Sequence, residues 1–508
     1  MSLPRINHNE EASIYIGGGF MDSQLLFILP FAAGYARQKA IKNLVLDKEL
    51  SGNIAKNEII KHVLSGFNII HVRPRGTKLR FLSKRIRDRL SAISLRSLVL
   101  GFKLNRRLLM AQSDWHECQV RHAVWDTAFR SSSDGLQKLS LASRLIAANA
   151  VECNIKFAQR LVKEYYVSDA IMGHIVYAGR ALASELQKQG VNVVAQAASV
   201  LYRTPNGKDT RWSFVSRCLF NFTCSNQKYI SVMASNYWNA RTKGISLYQD
   251  AENAYKGKRT ISDETPKNVI FMHVFRDSPF NYIDRFRLFA DFIEWVEFTL
   301  RLIAESNETW LLKPHPSSES WGEDPLEWLK SFSESIFGGK WPKNIVVDRA
   351  YSNMDILANA KRVVTYHGTV HLEAACLGIK PIVIADVTLS NFDASLVHKP
   401  LTLGQYSNLL SLSSNDQSFR LLDASIQTSR MLLYIREKIL PFSCDTGSYT
   451  VRRFDGEEAF AAEFRSVNEK LPSFFNNMIK MGNAMARGLP HTISVDYLED
   501  WISFNSGD

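Results

Sequence analysis

Cysteine is scarce in this chain of 508 residues. It has six, Cys118, Cys153, Cys218, Cys224, Cys376 and Cys444, and none form a C-x-x-C pair. That spacing indicates neither a thiolate zinc cluster nor a disulfide scaffold, so reduced thiols in a cytosol are expected. No Asp-x-Asp triplet occurs, so a divalent cation held by paired aspartates is not supported and no metal is expected. The triplet Gly17-Gly18-Gly19 follows a strand pattern, Ala12-Ser-Ile-Tyr-Ile16, but it is not the G-x-G-x-x-G fingerprint. A nicotinamide is therefore not expected, and no other cofactor is implied. The N-terminus lacks a basic region followed by an apolar core and a cleavage site. Its uncharged stretch, Ser23 to Ala36, contains Pro30 and is too short to span a bilayer. It reads as a buried helix. Internal repeats and low-complexity tracts are also missing.

What is present is an ordinary globular composition on a long chain. Apolar residues are 45% and charged residues 22%, and this length accommodates two or three domains with their own cores. The first half reads as strands at 12–17, 43–47 and 68–72, with a helix from Asp22 to Gln38. A long helical region spans about 79–167. Strand-like segments at 169–177 and 191–195 then flank a helix over 178–188. The polar run 257–267 reads as a linker. Beyond it strand and helix alternate, which predicts a mostly parallel sheet covered on both faces. From Ile426 the chain reads as helical, and Phe474, Phe475, Met478, Met481 and Met485 form a packing stripe. The expected fold is α/β, with two Rossmann-like domains facing across a cleft. Residues 1–260 form the first, with a basic helical insertion at about 73–167. Residues 268–425 form the second, and C-terminal helices over 426–508 pack near the junction.

Two motifs carry the chemistry. In Thr365-Tyr-His-Gly-Thr-Val-His-Leu-Glu-Ala-Ala-Cys-Leu-Gly-Ile-Lys-Pro-Ile-Val-Ile-Ala385 a strand runs into a His-Gly-Thr turn, a short helix and another strand. The turn at Gly368 and Thr369 offers backbone N–H groups at a helix start, which suits a phosphate. Glu373, one helical turn on, could accept hydrogen bonds from a ribose diol, or be a surface glutamate of an ordinary βαβ unit. In Thr309-Trp-Leu-Leu-Lys-Pro-His-Pro316 two prolines fix the backbone around His315 at a strand's carboxyl end. Ligands of open α/β sheets sit outside those ends. Lys313 and His315 could both meet phosphate there, one as a point charge and the other as a hydrogen-bond donor.

Lys-Pro-His-Pro followed by His-Gly-Thr-x-x-x-Glu-Ala-x-x-x-Gly-x-x-Pro resembles the donor half of bacterial surface-polysaccharide glycosyltransferases of the GT-B fold. Relatives of that kind are the capsule polysaccharide biosynthesis proteins, including Kdo transferases, and the CDP-glycerol glycerophosphotransferases. Asn268-Val-Ile-Phe-Met-His-Val-Phe-Arg-Asp277 resembles the first strand and loop of that domain. The resemblance covers about 120 residues and implies a nucleotide-activated donor held by His273, Asp277, Lys313, His315, His367, Gly368, Thr369 and Glu373. It implies a glycan or lipid-linked glycan acceptor, as in capsule or lipopolysaccharide assembly. His122-Ala-Val-Trp-Asp126-Thr-Ala-Phe-Arg130 and His174-Ile-Val-Tyr177 resemble segments of the acceptor half.

An acceptor hydroxyl needs a base, expected from the first half. Asp22, Asp126 and His174 are the candidates. Each has a structural alternative: Asp22 as a helix N-cap, Asp126 paired with Arg130 one turn on, His174 as a satisfied core histidine. Beside the glycosyltransferase three further functions stay open, a CDP-glycerol-type glycerophosphotransferase, a nucleotide-sugar 2-epimerase on the same scaffold and a non-catalytic nucleotide-binding protein.

The net charge is +12, and it is concentrated. Between Arg73 and Arg107 stand twelve Lys or Arg residues and one acid, Asp88. Leu82, Ile86, Leu90 and Ile93 recur there at helical spacing with Lys84, Arg85, Arg87 and Arg89 between them. A basic amphipathic helix over about 80–100 suits an anionic inner-membrane surface, with a solvated helix over the core as the structural alternative. Aromatic residues are sparse in it, and nucleic acid is not expected as a partner. The expected location is cytoplasmic, peripheral at the inner membrane.

Overall fold

Ser13–Gly17 (β1) is buried at every position, which a strand achieves when both faces of its sheet are covered. The computed structural model describes residues 12–17, 22–47, 63–72, 95–103, 115–131, 139–197, 200–203, 228, 230–243, 261–262, 264–277, 288–348, 350–439 and 479. After β1 come α1 (Asp22–Gln38), β2 (Asn43–Asp47) and β3 (Asn68–Val72). Three helices follow, α2 (Leu95–Lys103), α3 (Trp115–Ser131) and α4 (Leu141–Tyr165), then β4 (Val167–Met172), α5 (Tyr177–Lys188), β5 (Asn192–Ala197) and β6 (Val200–Arg203). The sheet order is β3-β2-β1-β4-β5-β6. All pairs are parallel except β5 with β6, an antiparallel edge strand that the sequence pattern did not announce.

The helical stretch expected over 79–167 is thus divided among α2, α3 and α4 in its described part. Ser140 starts α4 by accepting from the Ser143 N–H at 3.1 Å, a side-chain N-cap. Gly101 of α2 lies on Leu145 of α4, so close that a Cβ there would stand 2.6 Å from Leu145 Cδ2. Arg85, Arg87, Arg89 and most of the basic run lie outside the described residues, as do Phe474, Phe475, Met478, Met481 and Met485 of the packing stripe.

The second sheet comprises β7 (Asn268–Phe271), β8 (Trp310–Lys313), β9 (Ile345–Val347), β10 (Arg362–Thr365) and β11 (Ile382–Val383), in the order β11-β10-β7-β8-β9 and all parallel. Its helices are α7 (Phe292–Ala304), α8 (Pro325–Phe337), α9 (Asn353–Asn359), α10 (Val370–Cys376), α11 (Thr388–Phe392), α12 (Leu403–Ser411) and α13 (Asp423–Tyr434), with a π-helical turn at Ile435–Ile439. The expected α/β class and two parallel-sheet domains are therefore what the chain builds.

A helix over 230–241, here α6, precedes the predicted linker, yet it packs on the second sheet. Ile230, Ala234, Tyr237 and Trp238 share one apolar core with Val269, Leu311, Val363 and Leu372. The same core takes in Ala195 of β5, so it also reaches the first sheet. In each sheet the chain winds outward from one central strand and then returns to its other side. The turning point falls between β1 and β4 in the first sheet and between β7 and β10 in the second. At such points the loops leave in opposite directions and open a crevice at the strands' carboxyl ends.

Candidate functional site

At the crevice of the second sheet the register places three histidines side by side. Phe271 of β7 pairs with Lys313 of β8 and with Thr365 of β10. His273, His315 and His367 each stand two residues beyond one of these paired positions. Side chains two apart leave a strand on the same face, so three neighbouring strands deliver three imidazoles to one place. The ring of His273 lies 4.3 Å from that of His367 and 6.4 Å from that of His315, and it stacks on Phe292 at 4.8 Å.

Hydrogen bonds assign the protons. The His367 backbone N–H donates to His273 Nε2 at 3.2 Å, which leaves the His273 proton on Nδ1. The Ser317 N–H donates to His315 Nδ1 at 3.1 Å, which leaves the His315 proton on Nε2. Burial holds the His273 pKa well below the usual histidine range, and charge on His367 or His315 would depress it further. The prolines flanking His315 supply no N–H, and the turn after them closes on its ring nitrogen instead. His315 is half-buried, and Thr369 is exposed with its hydroxyl not engaged as a helix cap. Gly368 is required by contact. A Cβ there would stand 2.9 Å from Thr365 Oγ1 and 3.5 Å from His273 Nε2. The site can thus offer imidazole N–H and hydroxyl donors to an anion.

Two expected ligands are committed elsewhere. Glu373 is 3% exposed and its Oε1 accepts from Arg241 Nη2 of α6 at 2.5 Å. A buried carboxylate needs such a partner, and the sequence placed Glu373 on the open face of α10 because nothing local shows that α6 covers it. Lys313 is 5% exposed and its ammonium donates to the Tyr351 carbonyl.

After β7 the Asp277 N–H donates to the Val274 carbonyl at 3.3 Å and forms a turn. That turn is held by Glu323, whose carboxylate accepts from the N–H groups of Phe275, at 3.0 Å, and Arg276, at 2.5 Å. Burial raises the Glu323 pKa to about 7 against the pull of those two N–H groups.

The first domain meets this edge through residues that follow its own crevice. The Gly173 N–H donates to the Gly17 carbonyl at 3.2 Å, tying the ends of β1 and β4 together. His174 is exposed just beyond, and Asp22 opens α1 at the same edge. Tyr177 takes φ +52° where α5 begins. Burial, then the carboxylates of Asp277 and Asp126, push its phenol pKa upward, so it stands between the two domains. The Arg130 guanidinium lies 4.2 Å over the Trp321 ring, a second contact between the domains. Asp126 is 1% exposed and lies 3.8 Å from Arg180 Nη1. It is paired inside the domain, with Arg180 rather than with the expected Arg130, and is poorly placed to take a proton from an acceptor. Glu323 and Arg241 were not candidates from the sequence, and Tyr177 appeared there only as the end of the segment His174-Ile-Val-Tyr177. Only tertiary contact reveals them.

Among the described residues no grouping of His, Cys, Asp and Glu side chains could hold a metal ion, and no helix is long and apolar enough to cross a membrane.

No protein-family model matches the chain, and no curated protein matches it in sequence. Several solved structures resemble it at low identity. A beta-Kdo 2,4 transferase, KpsC of Thermosulfurimonas dismutans, is 12% identical over 52% of this chain and 79% of its own, with a TM-score of 0.34. The calicheamicin glycosyltransferase CalG4 is 10% identical over 84% of this chain and 94% of its own, at 0.27. The UDP-GlcNAc 2-epimerase of Methanocaldococcus jannaschii, solved with UDP-GlcNAc and UDP, is 13% identical over 84% of this chain and 100% of its own, at 0.23. The class that the chain's own geometry defines is a two-domain α/β protein with parallel sheets and contact between their carboxyl edges. The chemistry has to be argued from the site.

Proposed function

We propose that the protein is a GT-B-type glycosyltransferase that takes a sugar from a nucleotide-activated donor. The observation that carries this reading is the in-register trio His273, His315 and His367 beside Gly368 and Thr369, at the turning point of the second sheet. Imidazole N–H donors gathered at one crevice suit the phosphates of a nucleoside diphosphate or monophosphate. Donors fixed before the reaction stabilise a leaving group as its charge grows. The acceptor hydroxyl attacks the anomeric carbon, the bond from that carbon to the phosphate oxygen breaks, and the hydroxyl proton passes to a base. His174 and Asp22, both at the first sheet's carboxyl edge, are the candidates for that base. No metal is assigned to the step. The acceptor belongs to surface glycans of the capsule or lipopolysaccharide kind, free or lipid-linked. The basic run at 73–107 would then hold the enzyme at an anionic membrane face on the cytoplasmic side.

The test is a thermal-shift panel of CMP, CDP, UDP, GDP and their sugar conjugates. A ligand present at a hundred times its dissociation constant stabilises the folded state by about 2.7 kcal/mol. One nucleotide should stand out, and its sugar conjugate should be consumed only when a glycan acceptor is present. Conversion of UDP-GlcNAc to its 2-epimer without acceptor would make the protein an epimerase. Turnover of CDP-glycerol would make it a glycerophosphotransferase. Failure of every nucleotide to bind would remove the reading altogether.

A further inference from the structure

The crossing of α2 and α4 carries apolar side chains that the fold leaves uncovered. Val99 and Phe102 of α2 are 45% and 59% exposed, and Leu141 and Ile146 of α4 are 36% and 52% exposed. The crossing itself is tight. Gly101 sits against Leu145, and Ser97 and Gly101 face inward. Val99 and Phe102 are three residues apart, one face of a helix. Phe102 adjoins Gly101, Ile146 adjoins Leu145, and Leu141 lies one turn before it. All four therefore lie within about one helical turn of the point where the helices touch. A cluster of exposed apolar side chains on a monomer marks an interaction surface.

Charge identifies the occupant. In sequence α2 belongs to the run of twelve Lys or Arg residues with a single acid. No acid stands between Leu141 and Val151 on α4 either. Along the sequence these apolar residues are interspersed with cations, Arg96, Lys103 and Arg144, a pattern that matches the boundary between headgroups and acyl chains of an anionic bilayer, where charges meet phosphate and apolar groups enter hydrocarbon.

We infer that Val99, Phe102, Leu141 and Ile146 insert into an anionic lipid surface, so that attachment has an apolar component beyond electrostatics. This rests on the membrane part of the proposed function and not on the identity of the donor. An attachment made by charge alone vanishes in high salt, because at about 0.5 M the screening length is below about 5 Å. Attachment with insertion keeps a salt-resistant remainder.

The experiment is sedimentation of the full chain with vesicles of phosphatidylcholine containing phosphatidylglycerol, at low salt and at about 0.5 M NaCl. The wild type should retain measurable binding in high salt. The Val99→Ser/Phe102→Ser variant should lose at least tenfold of that remainder, about 1.4 kcal/mol or more, and so should Ile146→Ser on the other helix. Unchanged melting temperature and unchanged nucleotide-induced thermal shift show that the fold and the histidine site are intact. A wild type that binds no vesicles, or variants that bind as well as it does in high salt, would overturn the inference. So would light scattering that shows a wild-type dimer dissociated by Phe102→Ser while vesicle binding stays unchanged, because the patch would then serve a second copy of the chain. A failed nucleotide panel with this lipid result positive would refute the donor reading and leave the surface standing.

Discussion

Arg241 and Glu373 are 132 positions apart in the chain and 2.5 Å apart in the fold. The same guanidinium donates to Glu437 in the π-helical turn, and the Tyr237 hydroxyl donates to Glu437 Oε2 at 2.5 Å. One buried cation therefore ties α6 to α10, which follows the His-Gly-Thr turn, and to the end of α13. Charges this deep are tolerated only when paired.

Arg241→Met should leave two carboxylates buried without their cation, a loss of about 3–5 kcal/mol of stability. Urea unfolding of the variant measures it. Replacing Arg241, Glu373 and Glu437 together by apolar residues of similar size should recover part of the loss, since both buried carboxylates go with their cation and only Arg436, 4.0 Å from Glu437, loses a partner. A single variant within about 1 kcal/mol of the wild type would show that the pair does not hold these elements together.

His371 predicts the acid side of the stability curve. It is fully buried, its Nδ1–H donates to the Gly368 carbonyl at 2.6 Å, and burial lowers its pKa to about 3. An unfolded imidazole takes its proton near pH 6.5. Between about 6.5 and about 3 the unfolded state therefore binds more protons, and stability falls as pH falls, by about 1.4 kcal/mol per unit. His273, also depressed, adds a term of the same sign. The difference in unfolding free energy between wild type and His371→Asn should be flat above pH 7 and should slope in the variant's favour below 6.5. A flat difference down to pH 5 would contradict the burial of a neutral ring.

Glu323 runs in the other direction. Its folded pKa of about 7 lies above the usual carboxylate value, so the folded state holds the extra proton. The favourable contribution is complete below about pH 4.5 and is lost as pH rises through about 7. Glu323→Gln keeps one acceptor for the loop N–H groups and removes the titration. Its stability relative to wild type should rise by roughly 3 kcal/mol between pH 4.5 and 8. A pH-independent difference would place the carboxyl in water.

Much of this fold is legible in the sequence because buried parallel strands are short apolar runs between turn residues. The strands at 13–17, 43–47, 310–313 and 362–365 and the helix from Asp22 to Gln38 all stand where the pattern predicts. The convergence of His273, His315 and His367 was half legible. Lys-Pro-His-Pro and His-Gly-Thr announce themselves, whereas the shared offset of two residues becomes visible only once the strands are in register. Glu373 and Lys313 misled for one reason. A charged residue near a motif reads as exposed, and the partners that bury them, Arg241 and the Tyr351 carbonyl, are distant in the chain. Tyr177 ends the segment His174-Ile-Val-Tyr177, but nothing local gives it a role, since its position between the domains depends on how they meet.

The donor site stands or falls on His315. With Nδ1 accepting from the Ser317 N–H, its proton is on Nε2, and a hydrogen bond from that proton to a phosphate oxygen is worth about 1.5–3 kcal/mol. His315→Ala should therefore weaken the best nucleotide of the panel by roughly 10- to 100-fold. The half-buried ring leaves a surface gap rather than a core cavity, so the melting temperature without nucleotide should change little. His315→Gln, which can again present an N–H, should recover part of the affinity. Gly368→Ala tests the same site from the backbone. Its Cβ would press on Thr365 Oγ1 and the His273 ring, so the turn must shift and nucleotide binding should weaken. Isothermal titration of the three variants decides the matter. If His315→Ala and Gly368→Ala both bind the nucleotide as the wild type does, the ligand lies elsewhere, and the three histidines are a packing cluster at the end of the sheet.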